Sequence, residues 1–196
     1  MAHSLKERLH NLYWERKFDI TTNGVLDVNF PDANHYATMC YSTIHRVLDH
    51  LSLTPSDVFL DLGSGKGRVL CCAAHRQVKK VIGVEISKEL CRIAEVNLAR
   101  MRYRVSAVEV MNRNAQEFDF HGATAMFLFN PFGPSTVEAV LDQIERSRNS
   151  HPMRIAYVNP LYDSILAQRK WLRPTTRWDA QRIKIEHSVT FYISSP

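Results

Sequence analysis

Val58-Phe59-Leu60-Asp61-Leu62-Gly63-Ser64-Gly65-Lys66-Gly67 is the stretch on which the fold turns. A short apolar run ends at Asp61 and gives way to glycines at 63, 65 and 67. Glycine takes positive φ without a Cβ penalty, so this loop can bend sharply and let a ligand approach its backbone. A helix opening near Gly67 would present free N–H groups to a carboxylate or phosphate.

Downstream, Val81-Ile82-Gly83-Val84 ends at Glu85, and Val105 to Met111 forms a third run. Ala125-Met126-Phe127-Leu128-Phe129 ends at Asn130, and Ile155-Ala156-Tyr157-Val158 ends at Asn159. Near-continuous apolar runs suit strands buried on both faces of a parallel sheet. Between them lie helical patterns. Ser87 can cap one whose face carries Leu90, Ile93, Ala94, Leu98 and Met101; Pro134 starts another with Val137, Val140, Leu141 and Ile144. This alternation predicts a doubly wound α/β sheet. In such sheets ligands sit beyond the carboxyl ends of the strands, where the strand order reverses. Here those ends carry Asp61, Glu85, Asn130 and Asn159.

Upstream, residues 1–56 read as a helical extension packed on a core of residues 57–196. Ser4-Leu5-Lys6-Glu7 has capping-box form. Leu5, Leu9, Leu12 and Tyr13 then follow at helical spacing. Asn23-Gly24 and Pro31-Asp32 signal turns, and a second helix is expected from about Asn34 to Leu51, with Tyr36, Cys40, Ile44, Val47, Leu48 and Leu51 facing inward. The tail from Arg182 to Ser194 reads as extended segments, an antiparallel hairpin at the sheet edge.

A chain of 196 residues, 45% apolar and 23% charged, fits one globular domain rather than a disordered segment. No run approaches the length of a membrane span, and the charged start has no signal-peptide core, so a cytoplasmic location is expected. Cys40, Cys71, Cys72 and Cys91 lack the paired spacing of a zinc site and read as small buried hydrophobes; no metal is expected. A net charge of +5 permits an acidic partner without demanding one. Arg169, Lys170, Arg173, Arg177, Arg182 and Lys184, interleaved with Trp171 and Trp178, could hold nucleic acid or form a solvated face with two packing tryptophans.

Three nucleotide-site patterns compete at the glycine loop. A phosphate-binding P-loop needs Gly-x4-Gly-Lys-Ser/Thr, but position 60 is Leu and Gly67 follows Lys66. A dinucleotide fingerprint counted from Gly63 finds Arg68 where its last glycine belongs, which weakens a dehydrogenase reading. Asp-x-Gly-x-Gly-x-Gly remains.

That spacing, with Glu85 ending the second strand, resembles motif I of the class I S-adenosylmethionine-dependent methyltransferases over roughly residues 35 to 195. Asp-Leu-Gly-Ser-Gly-x-Gly and Gly-Val-Glu are shared with small bacterial methyltransferases and, more loosely, with Dot1-type lysine methyltransferases. The resemblance implies a Rossmann-like, mostly parallel seven-stranded sheet and S-adenosylmethionine as cofactor. It implies that Gly63, Ser64, Gly65 and Gly67 wrap the methionine portion and that Asp61 orients its amino group. Glu85, with Ile86 beside it, would bind the ribose; Asn114 and Ala115 would meet the adenine, although the family usually has Asp at 114. A Tyr-containing helix in those proteins covers the cofactor, which makes Tyr36 and Thr38 candidate contacts. Asn130-Pro131-Phe132 resembles the Asn/Asp-Pro-Pro-Tyr/Phe motif of amino-group methyltransferases, with one proline in place of two. There the Asn and a following carbonyl accept from the target nitrogen while the ring stacks on it.

In-line methyl transfer asks mainly that the nucleophile be held near the methyl and that water be excluded. Asn159-Pro160-Leu161-Tyr162 occupies an equivalent strand end. His35 and His151 are the histidines placed near the expected mouth, without evident use as a base. The expectation is methyl transfer to a nitrogen or oxygen acceptor on a small molecule, a protein side chain or RNA. The alternative is a nucleic-acid-binding protein with a vestigial or regulatory cofactor pocket.

Overall fold

The computed structural model describes residues 4–25, 32, 34, 36–147 and 151–195. The core is a sheet of seven strands in the order β3-β2-β1-β4-β5-β7-β6. The strands are β1 Val58–Leu62, β2 Lys80–Glu85, β3 Val108–Asn112, β4 Ala125–Phe129, β5 Arg154–Val158, β6 Leu172–Trp178 and β7 Val189–Ser194. The first five in spatial order run parallel; β7 lies antiparallel between β5 and β6. The chain leaves β1 toward β2 and β3, then returns to place β4 on β1's other side. That reversal opens a crevice at the carboxyl ends of β1 and β4.

Helices cover both faces. One core gathers α1 (Leu5–Phe18), α2 (Tyr41–His50) and α3 (Arg68–Ala74) around Phe59, Val81 and Phe127, all three fully buried. The opposite core packs α5 (Pro134–Ser147) and a 3-10 turn at Ala115–Glu117 against Leu60, Met126 and Tyr157. The expected caps are present. Ser4 and Glu7 bond reciprocally, and the Ser87 hydroxyl accepts from the Leu90 N–H to start α4 (Lys88–Arg100). All four cysteines are buried. Among the described residues no helix is long and apolar enough to cross a membrane.

Four local expectations need correction. α1 does not bury its leucines: Leu5, Leu9, Leu12 and Tyr13 are 75%, 58%, 44% and 56% exposed, while Asn11, Glu15 and Phe18 face inward. Apolar spacing misleads here because Glu15 is fully satisfied inside, accepting from Thr22, Tyr41 and Arg68. The second helix starts at Tyr41, not near Asn34, and residues 37–40 are extended. Three bonds hold them so: Tyr36 Oη to the Thr22 carbonyl, Arg68 to the Met39 carbonyl, and Cys40 N–H to Glu186. β3 begins at Val108; Val105 and Ser106 instead donate their N–H groups to the Ala74 carbonyl. The terminal hairpin is β6 and β7, and the Asp179 side chain caps a short helix, α7 (Ala180–Ile183), where an extended start was expected.

Candidate functional site

The loop after β1 is shaped by its glycines. Gly63, Gly65 and Gly67 have φ of 73°, 53° and 86°. A Cβ on Gly63 would lie 2.5 Å from Pro131 Cβ, and one on Gly65 would lie 2.3 Å from the Tyr36 ring. Neither position has room for a side chain. The N–H groups of Gly63 and Ser64 donate to the Val84 carbonyl at 2.8 and 3.2 Å, which docks the loop on β2. The Gly65 N–H donates to Glu85 Oε2 at 2.9 Å, and the Ser87 N–H to Oε1 at 2.9 Å. Burial raises Glu85 above the ordinary carboxylate range, and these N–H groups oppose the rise. Each oxygen keeps a lone pair for a ligand.

A cavity of about 340 Å³ opens beside this loop. That volume is within the range of small-molecule sites. Gly63, Glu85, Ile86, Asn114 and Ala115 line the cavity, with Leu90 and Arg113. The Asn114 side-chain Oδ1 already accepts from the Gln116 N–H at 3.0 Å, capping the 3-10 turn that carries Ala115. Asn130, Pro131 and Phe132 line the same cavity with Phe129, Thr136, Asn159 and Leu161.

Both strand-end asparagines sit in the left-handed region, Asn130 at φ 39° and Asn159 at φ 50°. Two other residues determine how Asn130 is held. Tyr157 Oη accepts the Tyr162 N–H at 3.3 Å, so its own proton goes to Asn130 Oδ1, 3.1 Å away. Burial pushes the Tyr157 hydroxyl up to about 12, which keeps it a donor. Asn34 crosses above: its N–H donates to the Pro131 carbonyl at 3.0 Å, and its amide to the Asn130 carbonyl at 2.7 Å. Asp32 reaches the same turn. Its carbonyl accepts from the Gly133 N–H, and its carboxylate from Ser135 Oγ and the Thr136 N–H at 2.8 and 2.9 Å, which caps α5.

A second, smaller compartment of about 40 Å³ adjoins Gly63. Asp61, Ser64, Thr38 and Arg68 line it together with Phe127, Phe129 and Tyr36. Asp61 and Ser64 are 3% and 5% exposed, and Ser64 Oγ has no hydrogen-bond partner.

The expected residues therefore divide among three places. Glu85, Ile86, Asn114, Ala115 and Asn130-Pro131-Phe132 line the large cavity, Thr38, Asp61 and Ser64 the small one, and Tyr36 and Gly63 both. Gly65 and Gly67 shape the loop from behind: Gly65 packs beneath the Tyr36 ring and Gly67 begins α3. Tyr36 lies in an extended segment, not on the helix expected there. His35 lies outside the described residues. His151 precedes β5 and so falls at the end of the sheet away from the crevice. In the basic cluster Arg169 pairs with Asp142 and Arg177 with Asp163, Trp171 is buried and Trp178 packs on Phe191 and His50, while Lys170, Arg173, Arg182 and Lys184 are exposed.

Sequence reasoning missed Asp32, Asn34 and Arg68. Arg68 is 4% exposed, and its donors reach Thr22 Oγ1, the Met39 carbonyl, Glu15 and Asn23 Oδ1. One signal was available: an arginine followed by Val69-Leu70-Cys71-Cys72 on a buried helix needs internal partners.

The chain is similar to several known proteins. A histone-lysine N-methyltransferase specific for H3 lysine-79 from Dictyostelium discoideum is 31% identical over 118 residues, 53% of this chain and 6% of that protein. A protein-lysine N-methyltransferase from Saccharolobus islandicus (strain REY15A) is 33% identical over 87 residues, 44% of this chain and 53% of that protein. The matches thus span about half or less of those relatives' own lengths. Among solved structures, an RNA methyltransferase from Salinibacter ruber in complex with S-adenosyl-L-homocysteine superposes with a TM-score of 0.62 at 20% identity. That superposition covers 81% of this chain and 94% of the other, and it shows a shared fold. The model of the family described as histone methylation protein DOT1 matches residues 29–127, half of the sequence, and the chain belongs to that family.

Proposed function

We propose that the protein is an S-adenosylmethionine-dependent methyltransferase acting on a nitrogen or oxygen acceptor. The observation that carries this reading is Glu85, buried at the end of β2, accepting the Gly65 N–H and lining a cavity that Asn130-Pro131-Phe132 also line. The residues present fit the cofactor. Gly63 lines the cavity without a side chain, Glu85 keeps lone pairs for two ribose hydroxyls, and Ser64 Oγ is an orphaned buried donor. Ile86, Asn114 and Ala115 would flank the adenine. Asp61, with Thr38 and Ser64 near it, would meet the amino end, and Tyr36 would roof the loop. When bound, the cofactor supplies a methyl group already activated on a sulfonium. Asn130, Pro131 and Phe132 position the acceptor. In this reading residues 57–196 are the catalytic core and residues 1–56 an extension packed on it.

Protein lysine is the acceptor named for the relatives above, so a protein amine is the first acceptor to test. Buried thiols support a cytoplasmic setting. Labelled methyl transfer from S-adenosylmethionine into fractionated cell extract, sorted into small molecules, protein and RNA, tests the reading. Label should enter one class. Label in none, with S-adenosylhomocysteine still bound, would leave a binding protein in place of an enzyme.

A further inference from the structure

Two buried carboxyl groups stand at the ends of adjacent strands, and the loop treats them differently. Glu85 receives two backbone N–H groups. Among the described residues no donor reaches the Asp61 carboxyl. The Gly63 and Ser64 N–H groups go to the Val84 carbonyl, the Gly65 N–H to Glu85, and Arg68 to Thr22, Met39, Glu15 and Asn23. Asp61 lines the small compartment with Ser64, Phe127 and Phe129, and Ser64 Oγ is itself buried without a partner. A carboxylate without a donor is among the costliest groups to bury, and such groups neutralise instead.

We propose that Asp61 is a neutral carboxylic acid in the free protein and gives up its proton when the compartment receives a cationic amino group, so that cofactor binding releases a proton. This rests on the cofactor reading above. An ammonium group supplies the partner that the protein withholds; the Asp61 proton passes to solvent and the new ion pair remains. Ionisable neighbours face Asp61 from three elements: Tyr36 from the overlying segment, Glu85 from β2 and Arg68 from α3. Arg68 already has Glu15 as its counter-ion. Burial first, and then the Glu85 charge, hold Asp61 well above the ordinary carboxylate range, in keeping with this assignment. The sign follows. The free protein binds the proton and the complex does not, so affinity rises with pH up to the free-state pKa and levels off above it.

Calorimetric titration with S-adenosylhomocysteine, in phosphate and in Tris at about pH 6 and about pH 8, tests this directly. The observed heat should differ between buffers at the lower pH by the ionisation heat of up to about one proton per site, and affinity should rise by up to about tenfold per pH unit. Asp61→Asn should abolish the buffer dependence, whereas Glu85→Gln should retain it in whatever binding survives. Thermal unfolding is a second readout. A raised acid stabilises the fold most at low pH and loses that contribution as pH rises, so Asp61→Asn should gain on the wild type toward alkaline pH. Equal heats in both buffers at both pH values, or proton release that survives Asp61→Asn, would overturn the proposal and leave the cofactor site standing. Absence of binding under every condition would overturn both.

Discussion

The turn after β1 and the turn after β4 lie side by side at one cavity, yet they are built in opposite ways. The first is made from its own residues: glycines supply positive φ, and backbone N–H groups dock on Val84 and Glu85 of the next strand. The second bends at an asparagine and is held by residues far away in sequence. Asn34 binds its carbonyls, Tyr157 its amide, and Asp32 the helix that follows. A turn of the first kind is local and tolerates change elsewhere. A turn of the second kind depends on at least three distant side chains, and under the proposed function each is a place where acceptor geometry can be adjusted apart from cofactor binding.

The comparison breaks most severely at Gly65. Gly65→Arg should reduce affinity for S-adenosylhomocysteine by at least about 100-fold, roughly 3 kcal/mol. The reason is that any Cβ at that φ collides with the Tyr36 ring. The domain should still unfold cooperatively in a thermal scan, because the strands and both cores are untouched. Unchanged affinity would mean that the loop is not the cofactor cradle. Glu85→Ala should cost less, about 1.5–3 kcal/mol of binding, the scale of hydrogen bonds to a charged group. Calorimetry reads this, and an effect below about 0.5 kcal/mol would move the ribose away from Glu85.

This contrast also explains which features the sequence revealed. Glycines, a capping serine at 87 and a proline at 134 act within a few residues, and each stands where its local chemistry requires. The apolar runs gave the strands for the same reason, since burial on both faces leaves a continuous signature. Tyr36 was placed on a helix because nothing nearby announces that its hydroxyl must reach Thr22 and its ring must cover Gly65. The inward face of α1 was misread because Glu15 is buried for the sake of Arg68, a partner 53 positions away. Asn34 and Asp32 escaped notice for a related reason: their partners lie roughly a hundred residues downstream. Local rules find the end proposed for the cofactor. The end proposed for the acceptor is held by long-range pairs that a single sequence does not display.

Asn34→Ala sharpens the same division. It removes the amide donor to the Asn130 carbonyl but keeps the backbone N–H to Pro131. One such bond is worth about 1 kcal/mol, so methyl transfer should fall about fivefold while S-adenosylhomocysteine affinity stays constant. A parallel fall in both would mean that the two turns are not independent.

The smallest effect is expected at Asp32, and it separates capping from positioning. Asp32→Ala removes the carboxylate from the start of α5 and should lower stability by about 1 kcal/mol, the usual worth of an N-cap. The Asp32 carbonyl still holds the Gly133 N–H in this variant, so the Asn130 turn keeps its backbone tie and transfer should change little. The loss should depend on pH in one direction. Hydrogen bonds from the Ser135 hydroxyl, and then from Thr136, hold Asp32 below its ordinary value of 3.8. A depressed acid contributes its stability above that value and loses it as pH falls through the folded-state pKa. Thermal midpoints of wild type and Asp32→Ala should therefore lie apart at neutral pH and converge in acid. Asp32→Asn can still accept from the Thr136 N–H, so it should stay near the wild type at neutral pH and change less on acidification. A gap between wild type and Asp32→Ala that persisted in acid would show that shape rather than charge holds the segment to α5.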